Sequence, residues 1–452
     1  MKQPIQITEY GVFCSKKDVP GCKYLPADTF NKLENFILAN QGTETEPVEL
    51  MGLSVRRGAG KVITAKNYVG MIAMNDGTII EILPKICNVT DDENGEKAKK
   101  LLVKMLNTLR NSPFKNFQTT SIDTSKLNIF EIFIRMFNEE IFRIVKHGLR
   151  CNYESKTENL NVFKGKMKFS EQIKFNLIHK ERSYVEYDEF NVNTPENRLI
   201  KTTLQYLYKR TVSDKNKSDI RTLLNSFNEV EASSNIEQDF QFCGKDRNMK
   251  NYTFALSWCR VFLKGESFTS YSGSEVTYAL LFPMETLFES YVAANLKKII
   301  NPSEFTVSAQ DRGYYLFDIP QRKFSLRPDI VITRRSDKAI FVMDTKWKLL
   351  TDTPQSNYGI SQSDMYQMYA YQKKYKSKNV TLLYPLSDKV NPDKDISYKS
   401  DDGVTVDVKF VDLMDIQESL KELVAFTRES DYFDSLTDFN KVVLLCLTIR
   451  RE

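Results

Sequence analysis

"RPDIVITRRSDKAIFVMDTKWKLL", residues 327–350, holds two short apolar runs joined by the polar segment "RRSDK". The runs have the length and β-branched content of strands, and the segment between them has the composition of a tight turn. Three charged residues stand at the ends of these runs, where an ordinary buried strand would avoid them: Asp329 opens the first, and Asp344 and Lys346 close the second. If the two strands pair side by side, their ends bring all three side chains to one edge of a sheet. Residues 344 and 346 also share a face, because strand side chains repeat every two positions.

Crowded carboxylates repel unless a hard cation such as Mg²⁺ neutralises them, and Mg²⁺ prefers oxygen ligands while retaining waters. Such a metal lowers the pKa of a water and stabilises the charge of a pentacovalent phosphate, with Lys346 placed to orient that water or assist its deprotonation. This is the constellation of a hydrolytic phosphodiesterase. A D-x-K at a strand end and a Pro-Asp turn are each commonplace alone. Together, in one strand–turn–strand unit, they are informative.

The flanking sequence supports the unit. A helix is expected in "METLFESYVAANLKKII" after Pro283, a strand or hairpin in "FTVSAQDRGYYLFD", then the two strands above, a helix in "SDMYQMYAYQKKY" and a strand in "NVTLLYPL". The order is helix, three strands, helix, strand. Upstream, "NIFEIFIRMFNEEIFRIVKHGL", "TPENRLIKTTLQYLYKR" and "DIRTLLNSFNEV" repeat apolar residues at helical spacing, with a β-like insert near 161–190. Before about residue 115 the pattern is short and strand-like, with Asn75-Asp76-Gly77 as a turn and "TDDENGEKAKK" as a closing loop.

At 452 residues the chain exceeds one comfortable core, so several domains are expected. The reading is an α+β multidomain protein: a β-rich domain over 1–115, a mainly helical middle over 116–270, and an α/β domain with a mixed central sheet over 271–452. The start "MKQPIQITEYGVF" lacks the pattern of a secretory signal, and no run approaches a membrane span, so a cytoplasmic location and no membrane partner are expected. Seven cysteines without a C-x-x-C pair argue against a disulfide framework or zinc knuckle, and two histidines leave little for histidine-based metal chemistry. Any metal must be held by oxygen.

A net charge of +5 says little about partners. Two local clusters say slightly more: Lys164, Lys166, Lys168, Lys174, Lys180 and Arg182 with Phe169 and Phe175 interleaved, and "KRTVSDKNKSDIR" at 209–221. Either can neutralise phosphates, although a charge run is usually a solvated face. "RRGAGKV" at 56–62 imitates a phosphate-binding loop but lacks the spaced first glycine and the Ser or Thr after the lysine. It is not expected to bind a nucleotide.

"RPDI...MDTKWK" resembles the PD-(D/E)-x-K nuclease signature, and "QMYAY" resembles the Q-x-x-x-Y motif that some nucleases of that superfamily carry on the following helix. "NYVGMIAMNDGTIIEILPKI", "NTPENRLIKTTLQYL" and "FPMETLFESYV" are similar to segments of the McrC family, the nuclease subunit of the McrBC modification-dependent restriction system. These segments fall in all three regions, in the same order.

The resemblance implies a C-terminal PD-(D/E)-x-K endonuclease domain in which Asp329 and Asp344 bind Mg²⁺, with Mn²⁺ as a substitute. It also implies that the backbone carbonyl of Thr345 completes the site, that Lys346 is catalytic, and that Gln367 positions the water or substrate phosphate. Tyr371 either supports the site or belongs to the core. An acidic residue on the preceding helix often supports the metal in related nucleases; Glu289 is favoured because it lies in "LFESYV", with Glu285 the alternative. An exposed acid in the first turn, stabilised by the helix dipole, is the structural reading of Glu285.

The implied partners are double-stranded DNA and an McrB-like AAA+ GTPase, which in that family recognises methylated DNA such as 5-methylcytosine and is stimulated by the nuclease subunit. Arg56, Arg57 and Lys61, in a turn-like segment, are candidates to reach that partner or DNA. Two other functions use the same residues: a non-catalytic DNA-binding activator of a motor NTPase, and a stand-alone repair nuclease.

Overall fold

The computed structural model describes residues 4–39, 51–74, 76–85, 95–109, 114, 127–243, 251–264, 276–387, 390–391 and 394–424. It is a mixed α/β architecture with several sheets. Asn75 and the first half of "TDDENGEKAKK" lie outside these residues; the second half begins the helix Glu96–Leu106 instead of a loop. The first stretch also carries the helix Ala27–Ala39, so it is less purely β than its alternating pattern suggested.

Two sheets form from the first stretch. In one, Val12–Cys14 lies between Lys23–Tyr24 and the hairpin of Met51–Arg56 with Gly60–Ala65. The other runs in the order Ile5–Thr8, Ile79–Leu83, Tyr68–Met74, Val276–Pro283. Its last strand comes from the third stretch of the chain, which therefore begins by completing the sheet of the first. That pairing needs Gly70, at φ +134°, because a Cβ there would stand 1.9 Å from the carbonyl oxygen of Leu280. Val276–Pro283 then runs directly into the helix Met284–Ile299.

The helix Ile129–His147 is capped by Asn128, whose side chain accepts from the Glu131 N–H at 2.8 Å, and stops at Gly148. Pro195 and the cap Thr194 start the helix Pro195–Tyr208. The insert is a separate three-stranded sheet: Asn152–Leu160 pairs with Ser183–Asn191, which pairs with Lys166–Met167, and the helix Phe169–Asn176 lies against it. Most of its apolar side chains face outward.

The third stretch builds a mixed six-stranded sheet in the order Phe305–Ala309, Ile330–Arg334, Ile340–Thr345, Asn379–Pro385, Thr405–Val411, Ile396–Lys399. Ile340–Thr345 and Asn379–Pro385 are parallel, as two strands joined through the helix Gln362–Tyr375 should be. Both are buried along nearly their whole length, which explains their unbroken apolar runs. One hydrophobic core joins the expected regions: Val69, Met71 and Leu83, then Phe133 and Leu204, then Leu287, Ile330 and Met343 are all members. Among the described residues no helix is long and apolar enough to cross a membrane.

A buried ion pair within the first region also holds the start of the second, through the Ile129 N–H. Glu81, on Ile79–Leu83, lies 3.2 Å from Lys99 Nζ and accepts from the Ile129 N–H at 2.6 Å and from Gln6 Nε2 at 2.9 Å. Removing one member of such a group strands the other charge in the core. Glu81→Ala should cost about 3–5 kcal/mol in chemical denaturation. The pair Glu81→Leu with Lys99→Met should recover part of that loss, because no lone charge then remains.

Candidate active site

The register of two strands builds the site. Ile330 pairs with Met343 in the antiparallel ladder, so the next position outward sets Asp329 opposite Asp344. Lys346 follows two residues later on the same face. The fold thus brings together the three residues that the quoted stretch singled out, at the end of the sheet where the parallel strands finish. In open α/β sheets that end is where ligands bind.

Each carboxylate is held differently. Asp329 Oδ2 accepts from the Thr345 N–H at 2.8 Å and from Thr345 Oγ1 at 2.6 Å. Asp344 is 1% exposed, and its Oδ2 lies 2.6 Å from Lys346 Nζ without the alignment of a directed hydrogen bond. Burial, and then the Asp329 charge, push the Asp344 carboxyl up to about 7 against the pull of Lys346. Asp329 is also raised by burial, although the Thr345 hydroxyl and N–H oppose the shift. Two acids with raised pKa values at one edge are a pair short of positive charge.

Lys346 supplies part of that charge. Burial disfavours its ammonium, but Asp344, Asp364 and Asp329 outweigh burial and hold its pKa above the usual lysine value. Its Nζ donates to Gln367 Oε1 at 3.0 Å, and Gln367 Nε2 donates to the Tyr371 hydroxyl at 2.7 Å. Both ends of the Gln367 amide are therefore engaged within the chain, and its direct effect is on the lysine. Tyr371, on the helix Gln362–Tyr375, is buried in the core, and its hydroxyl accepts from Gln367.

Asp364 was not singled out from the sequence, and its Oδ1 stands 3.9 Å from Lys346 Nζ. Its signal was available: 364, 367 and 371 fall on one face of the helix Gln362–Tyr375 at helical spacing. Of the acidic residues expected from the preceding helix, Glu285 has its partners elsewhere. Glu285 accepts from Asn67 Nδ2 and adds its charge to the environment of Glu9, which puts it beside Glu9 and Trp347. Glu289 lies on the same helix Met284–Ile299, and among the described residues no group of three Asp, Glu, His or Cys converges as a cation cage.

Arg56, Arg57 and Lys61 lie at the tip of the hairpin of Met51–Arg56 with Gly60–Ala65, which opens no helix, as expected for a false phosphate loop. Lys61 pairs with Glu34 at 2.7 Å, and Arg56 Nη1 lies 3.8 Å from Cys22 Sγ. None of the three touches the carboxylate edge in these contacts.

A family model described as a McrBC 5-methylcytosine restriction system component matches residues 63–385, well over half of the chain. Among curated proteins the chain is similar to the type IV methyl-directed restriction enzyme EcoKMcrBC of Escherichia coli (strain K12), 23% identical over 278 residues that cover 57% of this chain and 77% of that protein. Among solved structures it is similar to a chain of a half-complex from a tetradecameric assembly of Thermococcus gammatolerans McrB AAA+ hexamers with bound McrC. The TM-score is 0.65 at 17% identity, over 93% of this chain and 100% of that one. At this identity the likeness establishes the fold alone.

The raised Asp344 pKa has a measurable consequence for the metal-free protein. The folded chain keeps a proton that the unfolded chain, with an ordinary value of 3.8, releases, so the stabilising contribution is complete below about pH 4 and is lost as pH rises through about 7. The melting temperature should fall across that interval, and Asp344→Asn should remove part of the slope.

Proposed function

The chain belongs to the family of McrBC 5-methylcytosine restriction system components, and from that premise we propose that it is the nuclease subunit: a Mg²⁺-dependent endodeoxyribonuclease of PD-(D/E)-x-K type that works with an McrB-like AAA+ GTPase. One observation carries the reading: the register that sets Asp329 against Asp344, with Lys346 held between Asp344 and Gln367. The residues fit a hard divalent cation, because Asp344 Oδ2 is a buried acceptor with no directed donor and the pair is short of positive charge. Asp329 and Asp344 would hold it, with the Thr345 carbonyl as the third candidate. When bound, magnesium supplies charge that offsets both the carboxylates and the scissile phosphate.

The remaining work falls to the chain's own groups. In the metal-free chain the neighbouring carboxylates favour the Lys346 ammonium, which supports its role as a charged hydrogen-bond donor to the phosphate and the attacking water. Gln367 and Tyr371 hold its ammonium in direction. Asp364, further from Nζ than Asp344, helps to keep it protonated. Preorganisation of this kind matters because a misplaced group loses most of its effect on the barrier.

The partner also needs a surface. We place it on the insert between 152 and 191, where Val162, Phe163, Phe169, Ile173, Leu177 and Ile178 are all more than half exposed beside Lys164, Lys168 and Lys174. Such a concentration of outward apolar side chains, on the helix Phe169–Asn176 and the segments that flank it, fits a protein partner better than a phosphate backbone. This proposed surface lies outside 1–115, the region that the family resemblance implies for partner binding.

Two experiments test the reading. With the AAA+ GTPase, GTP and Mg²⁺, the wild-type chain should cut methylated plasmid DNA, and Asp344→Ala should abolish cutting while GTPase stimulation persists. Undiminished cutting by Asp344→Ala would refute the site; stimulation without cutting by the wild type would favour the non-catalytic activator. The double variant Leu177→Asp/Ile178→Asp should fold normally and weaken GTPase stimulation about tenfold or more. Full stimulation by that variant would move the partner surface elsewhere.

A further inference from the structure

Glu9 is a buried carboxylate that the mechanism above does not use. It follows the strand Ile5–Thr8 and is 2% exposed. Its Oε1 accepts from the Lys85 N–H at 2.7 Å, and its Oε2 accepts from Trp347 Nε1 at 2.8 Å, across 338 positions of sequence. Trp347 is the residue next to Lys346. Its ring meets Phe288 of the helix Met284–Ile299 nearly edge-on, with centroids 5.5 Å apart.

These contacts clamp the end of the strand from the side away from the carboxylates. The Lys346 N–H donates to the Leu383 carbonyl at 2.9 Å, which continues the sheet one step past its last ladder pair. Lys346 then points its side chain to Asp344 and Gln367, whereas its neighbour points to Glu9 and Phe288. Phe288 alone would give the half-buried indole an apolar contact. The carboxylate adds direction, since it fixes where the ring N–H must point and ties that ring to the Lys85 N–H, just past the strand Ile79–Leu83 of the first region.

Burying a carboxylate is a costly way to stabilise a packed interface, because an apolar side chain of similar size would avoid the desolvation. Two donors from two different elements, one for each oxygen, are what a device for orientation requires. Burial and the Glu285 charge disfavour the Glu9 carboxylate, and the two donors, with the charge of Lys85, oppose them.

We propose that Glu9 is a positioning residue for Lys346: through Trp347 it sets the direction in which the strand end presents the ammonium, and so joins the first sheet to the reactive edge. The proposal rests on the nuclease reading of that edge, and its test separates the two. Cleavage of methylated plasmid by the full chain with its GTPase partner, GTP and Mg²⁺ would be followed for Glu9→Ala, Trp347→Phe, their double variant and Asp344→Ala. Trp347→Phe keeps an aromatic ring on Phe288 and removes only the N–H, so it answers the question should Glu9→Ala fail to fold.

Each single variant should lower kcat about tenfold, with KM for DNA and GTPase stimulation changed less than about twofold. The double variant should be no worse than the poorer single one, since both break one contact. The two tryptophans of the chain allow a second readout: the emission of Trp347, taken as the difference between wild type and Trp347→Phe, should change in Glu9→Ala. Unchanged kcat in both singles while Asp344→Ala is inactive, or a double variant that shows the product of the two losses, would overturn the positioning role. Undiminished cutting by Asp344→Ala would overturn the reading of the edge itself, and this role with it.

Discussion

Two carboxylates that repel each other at the buried end of a sheet are the constraint on which the candidate site depends. The ladder pairing of Ile330 with Met343 leaves Asp329 and Asp344 no choice but to face each other. In water that opposition would cost little. At 1% exposure Asp344 feels it strongly, and the surroundings are arranged to meet it with Lys346 and with the donors of Thr345. A fold selected only for stability would place apolar groups here. The retained electrostatic tension is what supports the proposal that this edge binds a cation and a phosphate.

The support for this edge comes from beyond its own sheet. Helix Gln362–Tyr375 supplies Asp364, Gln367 and Tyr371 on one face, because the crossover between the two parallel strands must pack across them. Helix Met284–Ile299 supplies Phe288 beneath Trp347, and it is fed by a strand that belongs to the first sheet. The three stretches that composition suggested as separate units therefore share a core, and a change near residue 9 or 81 has a physical route to residues near 346. The insert around 152–191 is the exception: it leaves much of its apolar surface outside, as a surface kept for something else would.

Much of this was legible in order. The two apolar runs of 327–350, the later helix and the strand "NVTLLYPL" appear where periodicity and turn composition put them, because short range steric and packing preferences decide those elements. Asp329, Asp344 and Lys346 could be brought together on paper because strand alternation and one tight turn are enough to predict their edge. Gln367 and Tyr371 followed from helical spacing. Asp364 followed from the same spacing and was overlooked because no motif pointed to it. The alternating pattern of the first stretch concealed the helices Ala27–Ala39 and Glu96–Leu106 among strands.

Taken alone, the sequence determined the local chemistry: which residues are strand ends, which are one helical turn apart, and which types can hold a hard cation or carry a positive charge. Such features depend on neighbours within a few positions, and backbone geometry converts them directly into shared faces and edges. What the tertiary structure decided was every long-range choice. It turned Glu285 toward Asn67 and Glu9, paired Lys61 with Glu34, closed the first sheet with residues 276–283, and brought Glu9 to Trp347. No spacing rule links positions 9 and 347; they meet because burying the shared apolar core leaves one arrangement of the sheets, and the polar groups caught inside it must find their donors there.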